Sequence, residues 1–523
     1  MSITNRTIDF DLNDYVYNRV AQSSPDGDVV PIIIRFDPAK FGSVWTRFAS
    51  GSLNEASDQK ELKNLSIEQI FRCIVPNTQS LNLFTDVIPA VKMSETNQNP
   101  DVQKQIHLNY VRNKIAESTT KLDLTKTIRT ELDAVSIRSL IDVYEKYPNV
   151  VKELGIEYIE RNREIELPPE PTPSTTLQFE SRSDYDSHSQ IGVKPGVVNQ
   201  GYRGSGITIA IIDSGVDENH PDLKGKIKLK KDFTGLGDNE EDVRDTTTHG
   251  THVAGTIAGT GFASSGKLVG IAPEADLLIG RVFYRTDSGT LLTNKNRNQM
   301  STISDAIVWA YENGADIISL SLGQLTPNNG QDEMSQTINR IVEKGVIVVV
   351  AAGNFGRGSQ QGMRKPKTIG APAASPNAIT VGACLFDPPA DKFRVADFSS
   401  IGPVEISTDL TDPINIKPDI VAPGVDILAP LASGQNLSNE QISQINDNKR
   451  NGSTPLYTKT TLDDSFRNFY TFKSGTSMAT PIVSGSIALI LDAYKRYKRI
   501  ENKKEWDAEK LNPLTRKVTL PSL

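Results

Sequence analysis

The chain has 523 residues, 37% hydrophobic and 23% charged, which fits a globular protein but is too long for one ordinary domain. A formal net charge of −7 excludes the basic footprint by which nucleic-acid binders are recognised. Two cysteines, Cys73 and Cys384, lie far apart in the apolar settings IFRCIV and TVGACLF, so a disulfide framework is excluded and buried free thiols are expected. The opening residues MSITNRTIDFDLNDYV hold no apolar signal core, and no run approaches the length of a membrane span.

In chain order, VVPIIIRF (Val29 to Phe36) and IFRCIV (Ile70 to Val75) read as short strands. TIRTELDAVSIRSLIDVYEKY (Thr127 to Tyr147) reads as an amphipathic helix, and IEYIERNREIEL (Ile156 to Leu167) alternates as a half-buried strand does. These elements predict a small α+β domain over residues 1–166. The polar stretch from Lys92 to Lys126 has too little pattern to assign. LPPEPTPSTT (Leu167 to Thr176) is Pro-rich and cannot form regular structure. With the polar LQFESRSDYDSHSQ it makes a linker over residues 167–190.

From Ile191 the rhythm changes. ITIAIID, ADIISLSL, GVIVVVAAGN and AITVGAC are short, nearly continuous apolar runs, separated by helix-like STISDAIVWAYENG and MSQTINRIVEKG. Strands buried on both faces and alternating with helices predict an α/β domain, a parallel sheet flanked by helices, over residues 191–523. In such sheets functional groups gather at the carboxyl ends of strands. Asp213 ends ITIAIID and Asn354 ends VIVVVAAGN; alone, each reads equally well as a turn residue. THGTHVAGTIAG sets His249 and His252 three apart where a helix begins. The chain has five histidines, the others being His107, His188 and His220, so general bases near neutrality are few. An H-x-x-H pair is also half a metal site, but the third and fourth ligands are missing from its company. His252, within a run of small residues, is expected to be packed. SGTSMATP (Ser474 to Pro481) precedes the apolar IVSGSIALIL, so a helix starts there with Ser or Thr as a cap. Ser477 at its mouth is the candidate nucleophile. Acid, base, oxyanion donor and nucleophile are the parts that acyl transfer needs.

The blocks AIIDSGVD, HGTHVAGT, SLSLG, AAGN, KPDIVAPGVDIL and SGTSMATP resemble, in this order, the signature blocks of the subtilisin-like serine proteases, from about Ile191 to Leu491. The resemblance implies a subtilisin-like fold and a serine endopeptidase with Asp213 as triad acid, His249 as base and Ser477 as nucleophile. Asn354 is the implied oxyanion donor, joined by the N–H of Ser477. Ser321, Leu322 and Gly323 are the implied substrate-pairing strand and one wall of the S1 pocket. Ala351, Ala352 and Gly353 form the other wall, and Gly370 the floor. These residues are small, so a large apolar or aromatic P1 residue is expected. No cofactor is implied for catalysis. Structural calcium is common in the family, and Asp222 in NHPDL matches one frequent ligand, but the family's Asn-rich calcium loop is replaced here by GTGFASSGK. IIIRF and YPNVVKELGIEYIERNREIEL resemble parts of the family's inhibitory, ferredoxin-like propeptide. They imply a zymogen cleaved by itself between about Leu167 and His188; a permanently attached accessory domain is the alternative. The implied partners are polypeptide substrates and the chain's own propeptide, with no nucleic acid, no membrane span and a monomeric state. The family works mostly outside cells, whereas the N-terminus here shows no leader.

Several features pull elsewhere. GFASSGK (Gly261 to Lys267) imitates a phosphate loop but is followed by Leu268 and preceded by no strand. GDNEEDVRD (Gly237 to Asp245) is acidic enough for calcium, yet also reads as a solvated loop. Arg357, Arg364, Lys365 and Lys367 read as loop decoration. A polar insertion runs from about Ala432 to Tyr470, and the terminal RKVTLPSL does not match the family's closing elements. An α/β-hydrolase is disfavoured because no G-x-S-x-G occurs. A non-catalytic binding protein on the same fold stays open.

Overall fold

The computed structural model describes residues 29–36, 127–133, 156–163, 165, 167, 201–285, 291–292, 300–325, 330–357, 365–387, 392–404, 416–432 and 469–502. The chain divides into two compact units, residues 1–163 and, in the main, 164–406 with 410–523.

The described part of the first unit is a three-stranded antiparallel sheet in the order β2-β1-β3, with β1 Val29–Phe36, β2 Thr127–Asp133 and β3 Ile156–Arg161. Adjacent Ile32 and Ile33 are both buried, as the unbroken apolar run of a central strand requires. β2 corrects the helix expected from Thr127. In TIRTELD, Ile128, Thr130 and Leu132 alternate with Arg129 and Glu131, so period 2 fits as well as a helical stripe. The open edge of β1 then decides the matter by supplying a ladder for seven residue pairs. The remainder of that expected helix, and the strand at Ile70 to Val75, lie outside the described residues, as do the helices of the ferredoxin-like expectation.

The second unit is built on an eight-stranded sheet in the order β12-β11-β10-β9-β4-β6-β5, with β13 pairing β11. Its strands are β4 Thr208–Asp213, β5 Ile227–Asp232, β6 Asp276–Arg281, β9 Ile317–Leu320, β10 Ile347–Ala351, β11 Ile379–Asp387, β12 Lys392–Val395 and β13 Ile420–Pro423. All pair in parallel except β12 with β11. Two short ribbons lie outside it, β7 Tyr284–Arg285 with β8 Leu291–Leu292, and β14 Ile427–Pro430 with β15 Tyr470–Lys473. Central strands such as TIAIID are apolar on both faces because helices cover both faces. Edge strand β5, IKLKKD, carries lysines that discourage further pairing. The chain runs from β4 to β5 and β6 on one side, then crosses to β9 on the other. That reversal leaves a crevice at the carboxyl end of β4.

The helices are α1 His249–Ala258, α2 Met300–Glu312, α3 Glu333–Glu343 and α4 Thr476–Asn502. α4 is the core helix, packed on α1, β9, β10 and β11. Its segment Thr476–Tyr497 is long and apolar enough to cross a membrane, with mean hydropathy 1.3, a run the sequence expectation missed; 78% of that window is buried inside the protein. Its far end is tied down by Asp492, whose Oδ2 accepts from the backbone N–H groups of Arg203, Gly204 and Ser205 at 3.0, 3.1 and 3.2 Å. Arg496 closes the tie, donating from Nε to Asp492 Oδ1 at 2.6 Å and from Nη2 to the Gly201 carbonyl at 2.6 Å. Asp492→Ala strands three donors and is expected to destabilise the unit by roughly 3 kcal/mol, with Asp492→Asn milder because its amide oxygen still accepts. Urea unfolding checks this, and an unchanged midpoint for the Ala variant rules out the tie.

Candidate active site

Three of the expected residues stand at the carboxyl ends of neighbouring parallel strands. Asp213 closes β4, Ser321 follows β9, and Asn354 follows β10 shortly after its end. Because β4 pairs β9 with Ile211 opposite Ser319, Asp213 is level with Ser321.

Asp213 Oδ1 accepts from His249 Nδ1 at 2.8 Å and from the Ser214 N–H at 2.7 Å. Both side chains are buried, so water does not compete for the bond. With Nδ1–H committed to a carboxylate, the neutral ring carries its lone pair on Nε2. His249 is the first residue of α1. Thr248 before it holds φ 66°, a left-handed conformation costly for a β-branched residue. His252, three residues on, turns to the Ile427 carbonyl at 2.9 Å and is packed, as expected.

Ser477 is the second residue of α4, and Pro481 lies four residues beyond it. Proline has no N–H, so the Ser477 carbonyl loses its helical donor. Ser321 Oγ takes that place at 2.9 Å, while Ser477 Oγ donates to the Ser321 carbonyl at 3.2 Å. This reciprocal pair fastens the helix start to the end of β9. Asn354 fastens it to β10: its Oδ1 accepts from the N–H of Thr476 at 2.9 Å and from Thr476 Oγ1 at 3.0 Å, and the Gly353 N–H donates to Thr476 Oγ1 at 3.1 Å. Two donors on Oδ1 orient the amide, and Nδ2 must face the other way. A methyl at Gly475 would sit 3.2 Å from Asn354 Nδ2 and 3.7 Å from the Ser477 nitrogen. Both donors therefore flank the same point, at a helix N-terminus where negative charge is favoured. The remaining hydroxyls are structural. Ser474 Oγ donates to Asp426 Oδ1 at 3.1 Å, and Thr480 Oγ1 donates to the Thr476 carbonyl at 2.9 Å.

The expected pocket segments lie together. Leu322 and Gly323 continue from Ser321, and Ala351, Ala352 and Gly353 lie on the adjoining β10 and its continuation. Gly370 precedes Ala371, whose carbonyl accepts from the Gln324 N–H at 2.8 Å. A side chain at Gly370 would collide with the Gln324 carbonyl, so glycine is required there by close backbone approach.

Asp222 is fully buried and meets protein donors on both oxygens: Ala263 N–H on Oδ1 at 2.8 Å and Tyr470 OH on Oδ2 at 2.7 Å. Two carboxylates of the acidic loop are paired within it: Arg244 bonds Asp242 at 2.6 Å and Asp238 at 2.8 Å. Among the described residues no group of three or more His, Cys, Asp and Glu could hold a metal ion. Cys384 is buried, and its thiol is pushed up to about 11 by that burial. Sequence reasoning missed Gly475 and Pro481, although both stand in SGTSMATP. It also missed Asp245, four residues before His249, which burial pushes upward in pKa.

A sequence profile described as the subtilase family matches residues 204–512. The chain belongs to the subtilase family. This family of serine-type endopeptidases includes an intracellular serine protease of Paenibacillus polymyxa, 34% identical over 57% of this chain and 69% of that protein. It also includes serine protease AprX of Bacillus subtilis, 34% identical over 58% of this chain and 60% of that one. The chain thus spans about three-fifths of AprX. The fold is shared with fervidolysin of Fervidobacterium pennivorans, a keratinolytic enzyme related to subtilisin, at a TM-score of 0.51 and 20% identity over 90% of this chain and 56% of that chain. In this subtilase Gly475 holds φ 150° where side chains are rarely accepted. Gly475→Ala sets a methyl 3.2 Å from Asn354 Nδ2 in a backbone conformation side chains rarely adopt, and it is expected to lower kcat at least about tenfold, with KM much less affected. Steady-state kinetics on a peptide substrate check this, and a kcat near that of the unsubstituted chain excludes Gly475 as the place where both donors meet.

Proposed function

We propose that the chain is an endopeptidase that hydrolyses peptide bonds through an acyl-enzyme, with Ser477 as nucleophile, His249 as base, Asp213 as acid and Asn354 as oxyanion donor. The observation that carries the reading is the buried bond from His249 Nδ1 to Asp213, because it fixes the tautomer whose Nε2 can accept a proton. In the first step Ser477 Oγ bonds to the scissile carbonyl carbon while its proton passes to Nε2. The carbonyl electron pair moves onto oxygen, where Asn354 Nδ2 and the Ser477 N–H receive it. Collapse breaks the C–N bond, and His249 returns the proton to the departing amine. Water then repeats the sequence on the acyl-enzyme and frees Ser477.

Substrate is taken to lie extended along Ser321, Leu322 and Gly323, with its P1 side chain between them and Ala351, Ala352 and Gly353, above Gly370. A large apolar P1 residue suits these small linings. No cofactor enters the reaction, and a monomer suffices, since every group named comes from one unit of one chain. Residues 1–166 are assigned as an inhibitory propeptide of a zymogen. Incubation of the purified chain should yield a species whose new N-terminus, read by sequencing, falls between Leu167 and His188; a single uncut species in an active preparation rejects self-processing.

A non-catalytic binding protein would keep the fold without the reactive hydroxyl. A fluorophosphonate probe separates the two readings. Labelling of the processed chain is expected to vanish in Ser477→Ala. Asn354→Ala is expected to keep the fold but lose about 10²–10³ in kcat, the scale on which a subtilisin responds to loss of its side-chain oxyanion donor. Absence of labelling, or near-normal turnover in Asn354→Ala, overturns the respective assignment.

A further inference from the structure

Resting on the protease reading, we infer that Asp245 is a positioning residue for His249. Its carboxylate holds the strained turn that delivers the imidazole and sets a second negative charge beside the Asp213–His249 pair.

Asp245 is fully buried. Its Oδ1 accepts from the N–H groups of Thr247 and Thr248, both at 2.9 Å, and from Ser214 Oγ at 2.9 Å. Its Oδ2 accepts from the Thr251 N–H at 2.8 Å and from Thr251 Oγ1 at 2.6 Å. Three of these five donors are backbone N–H groups, which can only donate and therefore favour the carboxylate over the protonated acid. Each donor leads to the triad. Thr248 is the residue at φ 66° directly before His249, and the carboxylate keeps that conformation in place. Thr247 Oγ1 accepts from the His249 N–H at 3.1 Å and donates to Ser214 Oγ at 2.7 Å. Ser214 Oγ also accepts from the Gly250 N–H at 2.9 Å, while the Ser214 N–H donates to Asp213. Ser214 therefore bridges the two carboxylates, and the backbone of α1 on either side of the His249 carbonyl hangs from that bridge. Thr251 Oγ1 extends the network by accepting from the Asp217 N–H at 2.9 Å.

Burial pushes the Asp245 carboxyl upward, and the nearby charge of Asp213 adds to this, while bonds from Thr251 and Thr247 oppose it. The charged and titratable groups on the surrounding elements are Asp213 at the end of β4, Asp217 in the following turn, and His249 and His252 on α1. Two arginines are also near: Arg281 of β6, its Nη1 donating to the Arg244 carbonyl at 3.1 Å while its Nε bonds Asp232, and Arg285 of β7, whose N–H donates to Thr246 Oγ1 at 2.8 Å. Arg244 and Asp242 lie on the loop of Asp245 itself and bond each other. A fixed negative charge close to an imidazole favours the imidazolium. Its removal should therefore lower the pKa of His249.

Asp245→Asn keeps the shape, removes the charge and turns an NH₂ toward donors. We expect kcat to fall at least about tenfold with KM within roughly twofold. The acid limb of kcat/KM should move to lower pH, matched by a lower His249 pKa in a histidine NMR titration. A merely structural residue would lower kcat without moving that limb. The titration reads His249 whether or not the chain is a protease, and Ser477→Ala in parallel tests the protease reading by itself. A folded Asp245→Asn chain with kcat and His249 titration unchanged overturns the inference. Should that variant fail to fold, Ser214→Ala removes only the bridging hydroxyl: kcat lower by roughly tenfold at constant KM supports the inference, and unchanged kcat overturns it.

Discussion

The first turn of α4 must be seated against the ends of β9 and β10, and the rest of the site depends on that seating. The seat is polar in a surrounding that is otherwise apolar. A helix start leaves N–H groups without partners, and a proline in the second turn leaves a carbonyl without one. Here the orphans are taken by Asn354 and Ser321 at the strand ends. One set of contacts thus satisfies the buried backbone and positions Ser477, the proposed nucleophile. The apolar remainder of α4, with Met478, Ala479, Ile482 and Ala488 buried, supplies the force that keeps the helix in its seat. Catalytic geometry and core packing are one structure, so a substitution deep in α4 can disturb the site without touching it.

Electrostatics supplies a second layer. Behind His249 the loop from Gly237 to Asp245 concentrates carboxylates, which would repel one another if left unpaired. Burial raises the Asp242 carboxyl, but bonds from Arg244 and the Asp238 N–H, with the charge of Arg281, together more than offset this and hold it below the usual range. Asp232 is also held below its usual range: burial raises it most, but the bonds from Arg281 and Thr234 and the Arg281 charge together outweigh burial. Arg244 pairs with Asp238 and Asp242, while Asp245 is met by hydroxyl and backbone donors.

Much of the second unit was legible in the sequence because its signals are local. Short apolar runs rich in β-branched residues and alternating with helices point to strands covered on both faces, which places the polar residues ending them, Asp213 and Asn354, at the rim. The first unit was less legible. TIRTELD satisfies helix and strand periods together, and only the free edge of β1, distant in sequence, makes it a strand. Asp245 stayed hidden for a similar reason. An aspartate four residues before a histidine is ordinary in a loop, and its role arises from Ser214 and Thr251, whose convergence requires the fold. Pro481 was in plain view, but its meaning lies in the acceptor it leaves behind.

The residues around Asp222 show how a site-like pattern can serve as a tether. The polar insertion lies between Ala432 and Phe469, and at its base the Leu431 N–H donates to the Phe469 carbonyl at 2.7 Å. The entropy of closing such an excursion grows only slowly with its length, so a firm neck decides whether it disturbs the fold. β14 and β15 form that neck. His220 Nε2 holds the Phe469 carbonyl at 2.8 Å, and Asp222 holds Tyr470. From Tyr470 the chain runs through β15 directly into Ser474 and Ser477. The buried carboxylate of Asp222 thus fixes the chain at Tyr470, just after the insertion, and through it the register in which Ser477 arrives at its helix.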